Sequence, residues 1–141
     1  MKRFTDKVVI VTGAGSGIGR ATAVSFAEEG AFVAVVDIEM KKAEKTTSEI
    51  TAMGGNVLAL QADVSEEADW LDVVARVKGE YGRINILFNN AGIGGVGKPL
   101  MELETADWDR LMAVNLRGIF LGCKTVLPAL IEAGGGAIVN M

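Results

Sequence analysis

A glycine-rich segment near the N-terminus has the residue types that bind phosphate groups. Thr12 to Gly19 reads Thr-Gly-Ala-Gly-Ser-Gly-Ile-Gly; it follows the strand-like run Lys7 to Val11 and precedes a stretch with helical spacing. Glycines let a backbone turn sharply and approach a pyrophosphate, whose charge is stabilised by the N–H groups at a helix N-terminus. The alternative is a tight strand-to-helix turn without a ligand. Four glycines at alternate positions favour phosphate binding.

The spacing of these glycines distinguishes two dinucleotide-binding motifs. G-x-G-x-x-G does not fit, because its third glycine would fall on Ile18 or Arg20. G-x-x-x-G-x-G fits Gly13, Gly17 and Gly19. The candidate cofactor-binding residues of the segment are Thr12, Gly13, Gly15, Ser16, Gly17, Ile18 and Gly19.

An acidic residue ends the second apolar run, Phe32 to Val36. This residue is Asp37. Asp37 and the following Ile38 are further candidate cofactor-binding residues. A carboxylate here can accept hydrogen bonds from an adenosine ribose. Alone it would be read as a solvated strand-end aspartate, but the upstream glycines favour the ribose. Because a carboxylate repels a 2′-phosphate and positions 14–16 hold no Lys or Arg, the sequence predicts NAD rather than NADP.

A second glycine cluster fits a different nucleotide motif only in part. Gly92 to Lys98 matches G-x-x-x-x-G-K, but residue 99 is proline. Proline has neither a hydroxyl for Mg²⁺ nor a backbone N–H for a phosphate. A P-loop nucleotide binder is therefore the less favoured alternative.

Strand-like and helical patterns alternate five times along the chain. This alternation predicts an α/β fold, a Rossmann-like doubly wound parallel sheet with strand order 3-2-1-4-5. Ser65 is predicted to cap the third helix, and Pro128 is predicted to end or kink the last one. The predicted strands are 7–11, 32–36, 57–60, 84–88 and 137–139, and the predicted helices are 18–29, 40–53, 65–81 and 105–133.

The composition excludes several classes of site. The chain has 141 residues, no histidine and one cysteine, so His-based catalysis, His-ligated zinc and an intrachain disulfide are ruled out, and no metal site is predicted. Cys123 lies in an apolar helical pattern and is predicted to be a buried thiol. A net charge of −4 without a basic stripe argues against nucleic acid binding. The longest uncharged stretch is shorter than the ~20 residues of a membrane span, so a cytoplasmic protein is expected.

In their order and spacing these residues resemble the short-chain dehydrogenase/reductase family. The match comprises Thr12-Gly-x-x-x-Gly17-x-Gly19, Asp37, Asp63-Val64, Asn89-Asn-Ala-Gly92, Asn115 and Gly135-Gly-Ala-Ile-Val-Asn-Met141. The resemblance implies an oxidoreductase that transfers a hydride between NAD(H) and a small-molecule carbonyl or secondary alcohol. It also implies a homo-oligomer, a tetramer or dimer, in which part of the apolar stripe from Ile119 to Ile131 packs on a neighbouring subunit. The alternative is that this stripe only covers the sheet.

The resemblance also implies roles for individual residues. Asp63 would accept a hydrogen bond from the adenine amino group, with the Val64 backbone beside it; the alternative is a turn aspartate before Ser65. The cofactor would be lined, and the sheet braced, by Asn90, Ala91 and Gly92. Asn115 is the one catalytic candidate, anchoring a water in a proton relay, and the alternative is a polar residue that kinks a helix.

Two catalytic elements of the family are not found in these residues. The family's serine follows the fifth strand, and its Tyr-x-x-x-Lys comes later, whereas the only tyrosine, Tyr81, has Asn85 four residues on. We therefore expect residues 1–141 to be the cofactor-binding portion of a single-domain protein whose sheet has seven strands, with the catalytic and substrate-binding part absent. Such a segment would bind NAD weakly and catalyse nothing. The alternative is a non-catalytic dinucleotide-binding module.

Overall fold

Five parallel strands form one sheet in the order β3-β2-β1-β4-β5, which confirms the predicted topology. The computed structural model describes residues 2–141. The strands are β1 Val8–Thr12, β2 Phe32–Asp37, β3 Asn56–Gln61, β4 Ile86–Asn89 and β5 Ala137–Asn140. The helices are α1 Gly17–Glu28, α2 Met40–Ala52, α3 Glu67–Tyr81, α4 Thr105–Met112 and α5 Gly118–Glu132, with a 3-10 turn at Leu100–Glu102 and a π-helical turn at Ala113–Arg117.

The central strand β1 is buried on both faces, as its unbroken run of β-branched residues predicts. Val8 and Ile10 face the apolar layer formed with α3 and α5. Val9 and Val11 face the opposite layer, formed with α1 and α2. Because β1 pairs with both β2 and β4, the chain reverses its direction of travel across the sheet at this strand.

The predicted cap of α3 is wrong. Ser65 does not cap the helix: its hydroxyl donates a hydrogen bond to Asp63 Oδ1 at 2.6 Å, and the N-cap position is Glu66. The preceding aspartate competes successfully for the hydroxyl because Ser and Asp close tight local turns by such bonds. Two acidic residues, Glu67 and Asp69, occupy the first turn of the helix.

The long helix near the C-terminus contains one irregular turn. Residues Ala113–Arg117 are π-helical and separate α4 from α5, whereas the pattern predicts one uninterrupted helix. Pro128 lies inside α5, which continues about one turn beyond it to Glu132. Together Thr105–Glu132 are long and apolar enough to cross a membrane. A core helix has the same property, and α5 packs on α3 and β4.

Only part of the apolar stripe on α5 covers the sheet. Its buried residues are Gly118, Leu121, Gly122, Val126, Ala129 and Leu130. Phe120, Leu127 and Ile131 are exposed. Cys123 is half-buried rather than buried, because it lies at the margin of the covered face, near the side chains of Asn89 and Asn140.

Candidate dinucleotide-binding site

A cavity of about 610 Å³ opens where β1, β2, β3 and β4 reach their carboxyl ends. Its volume is typical of small-molecule sites, and it lies at the point where the strand order reverses, where open α/β sheets bind ligands. The predicted residues that line it are Gly13, Ser16, Gly17, Ile18, Asp37, Ile38, Asp63, Val64, Asn90, Ala91 and Gly92. The fold thus brings together residues from four separate loops.

Backbone conformation favours glycine at two positions of this turn, and close packing favours it at others, most strongly at Gly19. Gly13 and Gly17 have φ values of +59° and +53°, which disfavour side chains. A Cβ on Gly17 would meet nothing within 4 Å. A Cβ on Gly19 would collide with the carbonyl oxygen of Gly13 and lie 2.5 Å from Asn90 Nδ2. The turn is therefore packed against the start of α1, whose N-terminus faces the cavity.

Thr12 lies behind the cavity wall and joins the two central strands. Its hydroxyl oxygen accepts hydrogen bonds from the backbone N–H groups of Asn90 and Ala91, both at 3.0 Å, and donates to Phe88 O at 3.4 Å. Asn90 Nδ2 donates to Thr12 O at 3.0 Å and to Gly13 O at 3.3 Å. These bonds hold the loop after β4 against the glycine turn.

Asp37 is held in place by two backbone donors. It is 8% exposed; Oδ2 accepts from Gly15 N at 2.9 Å and Oδ1 accepts from Glu39 N at 3.0 Å. An ionised carboxylate has about four acceptor positions, so acceptors remain for ribose hydroxyls. A Cβ on Gly15 would lie 2.8 Å from Oδ2, so a side chain at this position would push against the Asp37 carboxylate, although Gly15 itself does not line the cavity.

Asp63 is both a turn residue and part of the cavity wall. Oδ1 accepts from the Ser65 amide at 2.9 Å as well as from its hydroxyl, and Oδ2 lies 3.6 Å from Arg110 Nη1. Partial burial raises the pKa of Asp63, but the two Ser65 bonds and the Arg110 charge together outweigh it and leave the pKa below its ordinary value. The ionised form is therefore favoured, and it can accept a hydrogen bond in the cavity.

The Val64 backbone beside it is held by the hydrophobic core. Trp70 Nε1 donates to Val64 O at 2.9 Å, and Gly118 packs so closely that a Cβ there would lie 2.9 Å from Val64 Cγ2. One wall of the cavity therefore depends on the packing of α3 and α5.

Asn115 lies in the π-helical turn and does not line the cavity. Its Oδ1 accepts from Ile93 N at 2.8 Å, and its Nδ2 donates to Ile93 O at 2.9 Å. The side chain therefore anchors the loop after β4, and it sits at an irregular turn, as the alternative interpretation predicts. Its role in anchoring a water stays a prediction. π-Helical turns are frequent at functional sites.

Several cavity residues were not predicted from the sequence. They are Val36, Glu39, Lys42, Ala62, Ile93, Arg110 and Val114. Four of them adjoin predicted residues or lie close to them in the chain. Lys42, Arg110 and Val114 come from helical segments. Arg110 and Val114 are four residues apart, which places both on one helix face, and this spacing is the sequence signal that could have found these two residues.

Tyr81 lies near the amino-terminal ends of the strands, whereas the cavity lies at their carboxyl ends. Its ring packs 5.2 Å from that of Phe32, the first residue of β2, whereas Asp37 is the last. A six-residue strand such as β2 spans about 16 Å. Burial raises the pKa of Tyr81, with a smaller contribution from Glu80. Tyr81 therefore cannot act at the cavity, whose lining includes no tyrosine, histidine or cysteine among the described residues.

The second glycine cluster does not form a P-loop. Pro99 is followed by a 3-10 turn, Leu100–Glu102, and not by the α-helix whose N-terminus a P-loop uses. Lys98 Nζ lies 3.7 Å from Asp107 Oδ2, so its ammonium group already forms an ion pair with this carboxylate. The geometry argues against this alternative.

Comparison with known proteins agrees with the topology. The model of the short chain dehydrogenase family matches residues 7–141. Levodione reductase from Leifsonia aquatica is 44% identical over 98% of this chain and 52% of its own length, and cyclohexanol dehydrogenase from Acinetobacter sp. (strain SE19) is 41% identical over 98% and 55%.

Solved structures extend this similarity to the fold. The crystal structure of levodione reductase has a TM-score of 0.93 over 98% of this chain and 54% of that one. A metagenomic short-chain oxidoreductase in complex with NADP is 36% identical, with a TM-score of 0.92 over 97% and 62%. The chain spans about half the length of the curated relatives it matches. Since the family model covers nearly all of its residues, the chain belongs to the short-chain dehydrogenase family.

Proposed function

We propose that this chain forms the dinucleotide-binding part of an oxidoreductase that transfers a hydride between NAD(H) and a small-molecule carbonyl or secondary alcohol. The observation that carries the proposal is the cavity at the reversal point of the sheet, which has the glycine turn at one side and the Asp37 carboxylate at another. The nicotinamide supplies the hydride chemistry, and the protein supplies binding and orientation.

The residues present fit a dinucleotide. The glycine turn leaves room at Gly17 for a pyrophosphate at the N-terminus of α1. Asp37 has acceptor positions for ribose hydroxyls, and Asp63, held ionised, has one for the adenine amino group. Ile38 and Val64 supply apolar surface for the adenine ring.

The proposed preference for NAD rests on the charge of Asp37. A 2′-phosphate would bring about −1.5 to −2 charges next to this buried carboxylate. One relative was solved with NADP, so membership of the family does not by itself decide the preference. The preference depends on the charges at the ribose end of the cavity.

Asp37→Ala should lower the ratio of the NADP to the NAD dissociation constant by about tenfold, because the variant loses the repulsion and the ribose acceptors together. Calorimetric titration with both dinucleotides measures this ratio. Asp37→Asn removes the charge but keeps one acceptor for the backbone donors, and Asp72→Ala removes an exposed carboxylate of α3 outside the cavity. An unchanged ratio in both Asp37 variants would show that this aspartate is only structural.

We further propose that these 141 residues bind the dinucleotide without catalysing its reaction. The support is that the cavity lining, among the described residues, includes no tyrosine, histidine or cysteine, and that Tyr81 lies near the amino-terminal end of β2, away from the cavity. Formation of NADH from a panel of secondary alcohols, by a polypeptide of verified mass, tests this. Turnover would contradict it. The second candidate is a non-catalytic dinucleotide-binding module. It predicts that the protein isolated from its natural source, and not only the 141-residue chain, has no dehydrogenase activity.

We also propose that the exposed apolar face of α4 and α5 packs on a second copy of this chain. Trp108, Leu116 and Phe120 are exposed on it, Leu116 and Phe120 line one shallow depression, and exposed apolar patches mark interaction sites. Phe120→Glu should shift the species seen in sedimentation velocity towards the monomer. A wild-type chain that sediments only as a monomer would contradict the proposal.

A further inference from the structure

An arginine from a different element approaches Asp63 in the cavity wall. Asp63 Oδ1 already accepts two hydrogen bonds from Ser65, from its backbone N–H at 2.9 Å and from its hydroxyl at 2.6 Å. The other oxygen, Oδ2, lies 3.6 Å from Arg110 Nη1 of α4. Because a carboxylate oxygen has about two acceptor positions, Oδ1 is filled and Oδ2 is the oxygen that can still accept a hydrogen bond from a ligand.

Ser65 and Arg110 together fix the direction of this carboxylate. Ser65 restrains Oδ1 from within the turn after β3, and Arg110 restrains Oδ2 from α4. Contacts at both oxygens limit the rotation of the group about its Cβ–Cγ bond, whereas Ser65 alone would hold one oxygen only. Without Arg110, Oδ2 would sample more directions, and an acceptor that is not preorganised binds its donor less strongly.

The ion pair between Arg110 and Asp63 is explained better by the cavity than by the stability of the fold. The Arg110 side chain is 53% exposed, and exposed ion pairs contribute little to stability. Arg110 lies on the same helix face as Val114, four residues on, and both residues line the cavity. The guanidinium group is therefore held at the cavity, next to the oxygen that a ligand can reach.

The chemistry of this corner of the cavity selects the kind of ligand atom that it binds. An ionised carboxylate accepts hydrogen bonds and cannot donate them. Adenine presents an amino donor at its 6-position, which such an oxygen can bind. A base without this donor gains nothing from Oδ2, however well the carboxylate is oriented.

We propose that Arg110 is a positioning residue for adenine recognition: it holds Asp63 Oδ2 in the direction from which this oxygen accepts a hydrogen bond from the 6-amino group. This inference rests on the proposed function. It gives a part in base recognition to α4, an element separate from the strand-end loops that carry the glycine turn, Asp37 and Asp63.

Titrations of four proteins with two dinucleotides test it. The proteins are the wild type, Arg110→Met, Asp63→Asn and the double variant, and the ligands are NAD and its analogue in which a hydrogen atom replaces the 6-amino group of adenine. Arg110→Met keeps the apolar stem and should raise the Kd of NAD about fivefold, because the acceptor loses its fixed direction. The Kd of the analogue should stay within about twofold of the wild-type value, since the analogue has no amino group for Asp63 to bind.

The double variant shows whether Arg110 acts through Asp63. Asp63→Asn keeps one acceptor for the Ser65 donors but removes the carboxylate, and it should raise the Kd of NAD about tenfold. Adding Arg110→Met to this variant should change the Kd by less than about twofold, because a positioning residue has no further effect once the group that it positions is lost.

Arg76→Met is the matched control. Arg76 also pairs with an aspartate, Asp72, at 4.0 Å; its side chain is 50% exposed, and it lies outside the cavity. The substitution makes the same change in net charge as Arg110→Met. It should leave the Kd of NAD within about twofold of the wild-type value, because exposed charges at a distance are screened. Neither arginine variant should change the melting temperature, since both ion pairs are exposed.

Each outcome supports or overturns the inference. A loss of NAD affinity in Arg110→Met that neither the analogue nor Arg76→Met shares supports it. An equal loss for NAD and the analogue would show that Arg110 contacts another part of the dinucleotide, and an undiminished loss in the Asp63→Asn background would show that it does not act through Asp63; either result overturns the inference. If the wild type binds NAD and Arg110→Met binds it equally well, the inference fails while the proposed function stands. If the wild type does not bind NAD, both fail.

Discussion

Gly19→Ala is expected to weaken NAD binding at least about a hundredfold and to lower the free energy of unfolding by about 1–3 kcal/mol. The added methyl group would collide with the carbonyl oxygen of Gly13 and with Asn90 Nδ2. Relief of this overlap requires the glycine turn to move away from α1, or the loop after β4 to move away from the turn. Either movement changes the cavity wall. Titration with NAD and denaturation by urea measure the two effects.

Gly79→Ala is the matched control. Gly79 also lies inside a helix, α3, but a Cβ there would meet nothing within 4 Å. Both substitutions gain about 1 kcal/mol of helix propensity, so the difference between them isolates the packing at Gly19. Gly79→Ala should bind NAD like the wild type and be slightly more stable. Equal behaviour of the two variants would show that Gly19 is not needed for a close approach.

Trp70→Ala is expected to lower the free energy of unfolding by about 3–5 kcal/mol and to weaken dinucleotide binding as well. Trp70 is 2% exposed and fills the space between α3 and α5. It packs so closely on Gly122 of α5 that a Cβ there would lie 2.7 Å from Cζ2 of the Trp70 ring. It also donates a hydrogen bond to Val64 O, in the cavity wall. The substitution therefore leaves a void and frees a cavity backbone at the same time.

Two further variants separate these contributions. Trp70→Phe keeps most of the ring volume but removes the donor to Val64 O, so it should lose less stability than Trp70→Ala and still weaken NAD binding. Leu71→Ala removes an apolar side chain of the same helix, α3, that is 58% exposed, and should change stability by less than about 1 kcal/mol. A Trp70→Phe variant that binds NAD with wild-type affinity would contradict the link between the core and the cavity.

Much of the fold could be predicted because it depends on local patterns. Three features depend only on neighbouring residues: the buried run before Thr12, the glycines after it, and the alternation of strands and helices. They predict a parallel sheet with loops at the carboxyl ends of its strands. The cap at Ser65 could not be predicted in this way, since two local hydrogen bonds compete for its hydroxyl and Asp63 accepts it. The prediction that Cys123 is buried was also wrong, because a helical pattern does not show where the covered face of the helix ends.

The sequence by itself determined which residues lie at the carboxyl ends of the strands, and through them the position of the cavity. Only the tertiary structure decided what their side chains contact: Asn90 holds the glycine turn, Asn115 holds the backbone of Ile93, and Asp63 is paired with Arg110. It also decided that Lys42 and Glu39 line the cavity beside Asp37. The physical reason is that spacing along the chain predicts which face of an element a residue occupies, whereas these contacts join segments whose relative position depends on the packing of the whole sheet.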